Sequence, residues 1–143
     1  MTIEKVSYAG APERVTEEAF DCVWVQFEDR KKPTPPSSQV IQWVDWRLQG
    51  QISRFLLQDR GGKATTFVPT RQRIGAPIVA LEPPGELNWK TFAQNCAGMG
   101  MKRILILCED PAALSEIEKE VRRQSESGLD TVVLGSDAAV GRS

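Results

Sequence analysis

The sequence predicts an α/β fold, a mixed β-sheet with helices on both faces, from three observations. Strand-like and helix-like segments follow one another in the order β, β, α, β, β, α, β, α, β, a pattern that builds layered sandwiches. After Arg103, the run Ile104 to Cys108 is apolar without a break, as in strands covered on both faces. In FDCVWVQFED (20–29), Val23, Val25 and Phe27 face one way while Cys22 and Trp24 face the other, so both sides of that strand need cover. A chain of 143 residues can bury one core, and 1–143 reads as a single domain.

The elements follow in order. TIEKVSYAG (2–10) alternates Ile3, Val6 and Tyr8 loosely as a first strand, and 20–29 is the second. DRKKPTPPSS cannot continue a strand past its three prolines, which predicts an exposed Pro-rich loop over 30–37. Ser37 or Ser38 then caps one long helix, expected over about 38–59 and stopped by Gly61-Gly62. Its core stripe is Val40, Ile41, Val44, Leu48, Ile52, Phe55 and Leu56, at three- and four-residue steps. KATTFVP (63–69) and APIVALEP (76–83) form two short strands of a hairpin joined through TRQRIG. Trp89, Phe92, Ala93 and Cys96 share one face of the next helix, which Gly98 and Gly100 stop. Asp110-Pro111 starts the last helix, with Leu114, Ile117 and Val121 as its buried stripe and Glu118–Arg122 as a favourable pair. DTVVLGS (130–136) is a final strand, and 137–143 a polar tail.

Composition removes whole classes of function. Eighteen basic and nineteen acidic side chains leave a net charge of −1, so no global field draws the chain to nucleic acid or anionic lipid. No stretch reaches the roughly 18 apolar residues of a membrane span, and MTIEKVSYAG does not read as a leader; a cytoplasmic location is expected. Histidine is absent, which takes away the usual general base and zinc ligand. Cys22, Cys96 and Cys108 are widely spaced inside apolar runs and read as reduced, buried thiols.

The motifs that tempt a catalytic or nucleotide reading do not hold. The glycines of GMG (98–100) follow a helix and precede a strand, the reverse of a phosphate cradle. DRGGK (59–63) lacks the remaining positions of a Walker motif. EDPAALSEIEKE has no calcium-loop pattern and reads as a solvated helix face. The acid pairs Glu17-Glu18 and Glu28-Asp29 satisfy no spacing rule for acid/base work. No catalytic residue, metal ligand or cofactor is assigned. Arg71 and Arg73 are candidate anion contacts, since two guanidinium groups can fork onto a phosphate or carboxylate.

The helix expected over 38–59 carries a second apolar set. On a 100° wheel, Trp43, Trp46, Gly50 and Leu57 lie nearly opposite the core stripe, with Arg54 beside them. Either another part of the domain, such as the Pro-rich loop, covers the tryptophans, or Trp43, Trp46, Arg54 and Leu57 form a contact for a protein partner or a second copy. Trp and Arg are the side chains enriched at binding hot spots.

At this helix the chain resembles a family. FDCVWVQFEDRKKP, VDWRLQGQISRFLLQDRGGKATTFVP and APIVALEPPGELNWKTFAQNCAGMGMKRILIL are similar to the N-terminal domain of the zinc leucyl aminopeptidases, over roughly 20–125. Asp45, Leu48, Gly50, Ile52 and Ser53 match its D-x-x-L-x-G-x-(I/L)-S helix pattern. The sequence departs at Glu82-Pro83-Pro84, where the family has a G-L-G turn, and no metallopeptidase motifs follow residue 125. The resemblance implies a stand-alone, macro-like three-layer sandwich without peptidase activity, serving as a protein-interaction or regulatory module. That domain in turn resembles the macro domain, which elsewhere binds ADP-ribose; a nucleotide-binding role is the alternative, although no Asn-Ala-Ala-Asn-like segment is present.

Overall fold

A computed structural model describes residues 1–29, 32, 34–58, 65–85 and 87–137. Six strands, β1 (Thr2–Ser7), β2 (Cys22–Gln26), β3 (Thr66–Pro69), β4 (Ile78–Leu81), β5 (Arg103–Cys108) and β6 (Thr131–Ser136), form one sheet in the order β1-β6-β5-β2-β4-β3. Every neighbouring pair is parallel except β3–β4, the antiparallel hairpin at one edge. Pro69 closes the edge strand β3, where a missing N–H is tolerated.

Helices cover both faces, and strand parity decides which side chain meets which layer. Val23, Val25 and Phe27 of the second strand segment, with Leu105, Leu107 and Val133, pack under α1 (Arg14–Glu17), α2 (Gln39–Arg47) and α3 (Gln51–Leu57). Cys22, Trp24, Ile104, Ile106, Cys108, Val132 and Leu134 pack under α4 (Trp89–Gly98) and α5 (Leu114–Arg123). Trp24 is fully buried, stacked edge-on against Phe67 and Phe92. The mixed sheet with helices on both faces is therefore as the alternation in β2 and the apolar run of β5 imply.

Two expectations on the helices are corrected. A short helix, α1, lies between the first two strands. The single helix expected over 38–59 is two, because the chain turns through left-handed conformations at Gln49 (φ 59°) and Gly50 (φ 81°). Asp45 makes the corner: its Oδ1 accepts from the N–H groups of Ile52 (2.8 Å) and Ser53 (3.2 Å), and its Oδ2 from Ser53 Oγ (2.5 Å). The last turn of α2 thus supplies the cap for α3, while Leu48 and Ile52 are buried. The D-x-x-L-x-G-x-I-S pattern encodes a break and a new start.

Other boundaries follow their capping chemistry. Ser38 Oγ accepts from Ile41 N–H at the start of α2, and α4 ends in a Schellman motif, with Gly100 left-handed and Met101 N–H returning to Cys96 O. Asp110 Oδ1 accepts from Ala112 N–H and opens a 3₁₀ turn (Pro111–Ala113) before α5. Glu118 and Arg122 pair at 3.0 Å. The Gly61-Gly62 stop and all of the expected tail except Asp137 lie outside the described residues. In the Pro-rich loop Lys32, Thr34, Pro35 and Ser37 are exposed, but Pro36 is buried. Among the described residues no helix is long and apolar enough to cross a membrane.

Candidate functional site

Helix α2 turns Val40, Ile41 and Val44 to the sheet, which leaves Gln39, Gln42 and Trp46 on its outer side. Trp43 lies between, half-buried against the core, and its ring centroid is 5.1 Å from that of Trp46, one turn away. Trp46 keeps 66% of its surface exposed, so among the described residues nothing covers it, whereas Trp43 is partly covered by the core. The pair lines an open shelf with Pro12, Gln39 and Gln42. Trp43 Nε1 is inaccessible and has no hydrogen-bond partner among the described residues.

The helix break separates the four residues grouped on the wheel. Trp43 and Trp46 come together on α2. Arg54 and Leu57 belong to α3, where Leu57 is 57% exposed and Arg54 Nη1 donates to Gln49 O at 3.2 Å.

The other candidate region is set by topology. From β2 the chain crosses through α2 and α3 on one face toward β4, whereas from β5 it crosses through α5 on the other face toward β6. The carboxyl ends of β2 and β5 are therefore the switch point where α/β sheets bind ligands. A cleft of about 460 Å³ lies there, walled by Phe27, Leu87, Trp89 and Ile117 and rimmed by carboxylates including Glu28, Asp29, Asp110 and Glu116. No Lys or Arg among the described residues lines it.

Four backbone amides at this end are held by carboxylates of the chain itself. Asp137, just past β6, caps α2: Oδ2 accepts from Gln39 N–H (2.6 Å), and Oδ1 from Val40 N–H (2.8 Å) and Ser38 Oγ (3.0 Å). Glu109, just past β5 and only 6% exposed, accepts from Glu28 N–H through Oε1 (2.9 Å), and from Ser37 N–H (2.6 Å) and Ser37 Oγ (3.0 Å) through Oε2. The N–H groups at the start of α2, of the kind that favour phosphate, are thus answered by the internal carboxylate of Asp137. The sequence places Glu109 on a solvated face and Asp137 in a polar tail; the only local signal was an acid directly after an apolar strand.

Arg71 and Arg73 lie at the opposite end of the sheet, in the turn before β4 begins, and do not face the cleft. Of the acid pairs, Glu28 and Asp29 line the cleft, while Glu18 pairs with Arg14 and Arg103. Among the described residues no three His, Cys, Asp or Glu side chains form a group that could hold a metal ion. Burial pushes the Cys96 and Cys108 thiols up to about 12, which makes them inert as nucleophiles.

No protein-family model and no curated protein matches the chain. Solved structures do. A mutant tomato leucine aminopeptidase is similar over 97% of this chain and 33% of its own, at 12% identity and a TM-score of 0.60. A Trypanosoma brucei macrodomain in complex with ADP-ribose is similar over 94% of this chain and 64% of its own, at 12% identity and a TM-score of 0.61. The chain spans less than two thirds of either protein. At this identity the likeness is one of fold: a macro-like three-layer sandwich of the kind found in leucine aminopeptidase.

Proposed function

We propose that this macro-like domain is a non-catalytic, cytoplasmic protein-interaction module whose contact is the Trp43–Trp46 pair on α2. The exposure of Trp46 beside Trp43 carries this reading. A large aromatic held rigid by its neighbour loses little conformational freedom on binding and removes much apolar surface from water. Leu57 and Arg54 on α3 are available to extend the contact. Three buried, reduced thiols suit a reducing compartment.

The test is the light-scattering mass of the purified chain, alone and with any partner recovered from native extract, for wild type and Trp46→Asp. A homo-oligomer or a stoichiometric complex that the substitution weakens about 30-fold, the equivalent of ~2 kcal/mol at a hot spot, supports the proposal. A partnerless monomer, or an association indifferent to Trp46→Asp, rules it out. The variant should still fold, with a cooperative thermal melt, because Trp46 is exposed and not part of the core.

A second reading comes from the macrodomain likeness, since the trypanosome protein is in complex with ADP-ribose. Against it stand the acidic rim of the switch-point cleft and the carboxylates of Glu109 and Asp137 on the amide groups. ADP-ribose at 100 times a dissociation constant would add about 2.7 kcal/mol of stability; no thermal shift is expected here.

A further inference from the structure

The turn that carries Arg71 and Arg73 is built at a conformational cost. Arg71 (φ 54°) and Gln72 (φ 67°) are consecutive left-handed residues, closed by Arg73 N–H donating to Thr70 O at 3.1 Å. Hairpin turns of this kind favour Asn-Gly, because a Cβ is strained there. Across from it, Gln49 at the α2–α3 corner is left-handed as well (φ 59°). Gln49 and Arg71, two of the three left-handed residues other than glycine among the described residues, line the same recess of about 270 Å³, together with Gln51 and Arg73. Strain kept in side-chain-bearing residues at one concave spot is characteristic of ligand clamps.

The charges in the recess are unanswered. Arg14, Arg47, Arg54, Arg103, Arg122 and Arg123 each donate to a protein oxygen. Among the described residues, the side chains of Arg71 and Arg73 have no acceptor and no carboxylate partner. Their backbone, by contrast, is fixed. Arg47 donates to Arg73 O from both Nε (3.1 Å) and Nη2 (2.9 Å), and Thr70 Oγ1 donates to Ala76 O (2.5 Å). Two free guanidinium groups two residues apart on a locked turn match the forked recognition of an oxyanion.

We infer that this recess, at the opposite end of the sheet from the switch-point cleft, binds a small oxyanion, a carboxylate or phosphate group gripped by Arg71 and Arg73. The Gln49 and Gln51 carboxamides supply further polar contacts. The site is independent of the Trp43–Trp46 contact.

Titrating the ¹⁵N-labelled chain with sodium phosphate, and separately with sodium succinate, tests the site by NMR, with sodium chloride holding ionic strength constant. A saturable shift of the Arg71 and Arg73 side-chain resonances is expected with at least one anion, and the anion that saturates identifies the group bound. Arg73→Gln should lower the affinity at least tenfold without altering the fold, since the Arg47 clamp uses the Arg73 carbonyl. Arg71→Gly should lose binding by a similar factor and raise Tm, because glycine relieves the left-handed strain. Trp46→Asp should leave the anion affinity unchanged. Shifts no larger than those with chloride, binding that survives both arginine substitutions, or a lower Tm for Arg71→Gly would overturn the inference.

Discussion

At the scale of single residues, Gly135 shows how tightly the layers close. A Cβ built on it would lie 2.5 Å from Tyr8 Cε2 and 3.0 Å from Cδ2. Tyr8 is 1% exposed, and its hydroxyl donates to Glu18 Oε2 at 3.4 Å. Burial, and then the charge of Glu18, push its phenol well above the ordinary range. The ring cannot withdraw without giving up core packing, so Gly135→Ala should cost about 1–3 kcal/mol by overpacking. A urea midpoint equal to that of wild type would show that the ring yields. The sequence marks Tyr8 as a strand residue and Gly135 as the end of TVVLG, but nothing local brings them together. The reduced cysteines were legible: Cys22, Cys96 and Cys108 stand in apolar runs, and all three are free and buried.

At the scale of elements, the α2–α3 corner is where periodicity alone misleads. The apolar stripe continues in step through Val44, Leu48 and Ile52, and all three are buried against the same layer, so spacing gave no sign of a break. One glycine costs a helix only about 1 kcal/mol. What decides the break is Asp45, which answers the N–H groups of Ile52 and Ser53 seven and eight residues on. Asp45→Ala should therefore destabilise the fold by about 1–2 kcal/mol, the worth of a strong cap. Far-UV circular dichroism should be retained and the urea midpoint lowered; Asp45→Asn, which keeps an acceptor, should recover most of the loss. The break also parts Trp43 and Trp46 from Arg54 and Leu57, which a straight helix would have kept on one stripe.

At the scale of the whole molecule, Glu82 makes stability depend on pH. Its carboxylate closes β4 over the core, 5% exposed, with Oε2 accepting from Trp24 Nε1 (2.8 Å) and Thr65 Oγ1 (2.7 Å). Burial raises its pKa, and the two hydrogen bonds only partly oppose the shift. A carboxyl whose pKa is higher in the folded chain binds its proton more tightly there than in the unfolded one. Its contribution is therefore complete below the ordinary value of about 4.3 and is lost as pH rises through the folded pKa. Glu82→Gln removes the ionisation and keeps an acceptor. Its urea midpoint should exceed that of wild type at pH 7 and converge with it near pH 4; a Gln variant less stable at pH 7 would show that the charged form is the better-held one.

By itself the sequence determined the layers: which strand faces are covered, which helix stripes are buried, and where most elements start and stop. These are local properties, since side-chain direction repeats every 2 residues in a strand and every 3.6 in a helix. Only the tertiary structure decided which groups meet at each end of the sheet. Glu109 reaches Ser37 across 72 positions and Asp137 reaches Gln39 across 98, and no periodicity reports such a meeting. The exposure of Trp46, the meeting of Glu109 and Asp137 with backbone amides at the switch point, and the gathering of Arg71, Arg73 and Gln49 around one recess depend on the strand order and the helix break. They follow from which distant groups satisfy each other's buried charges and amides, a condition that exists only once the chain has folded.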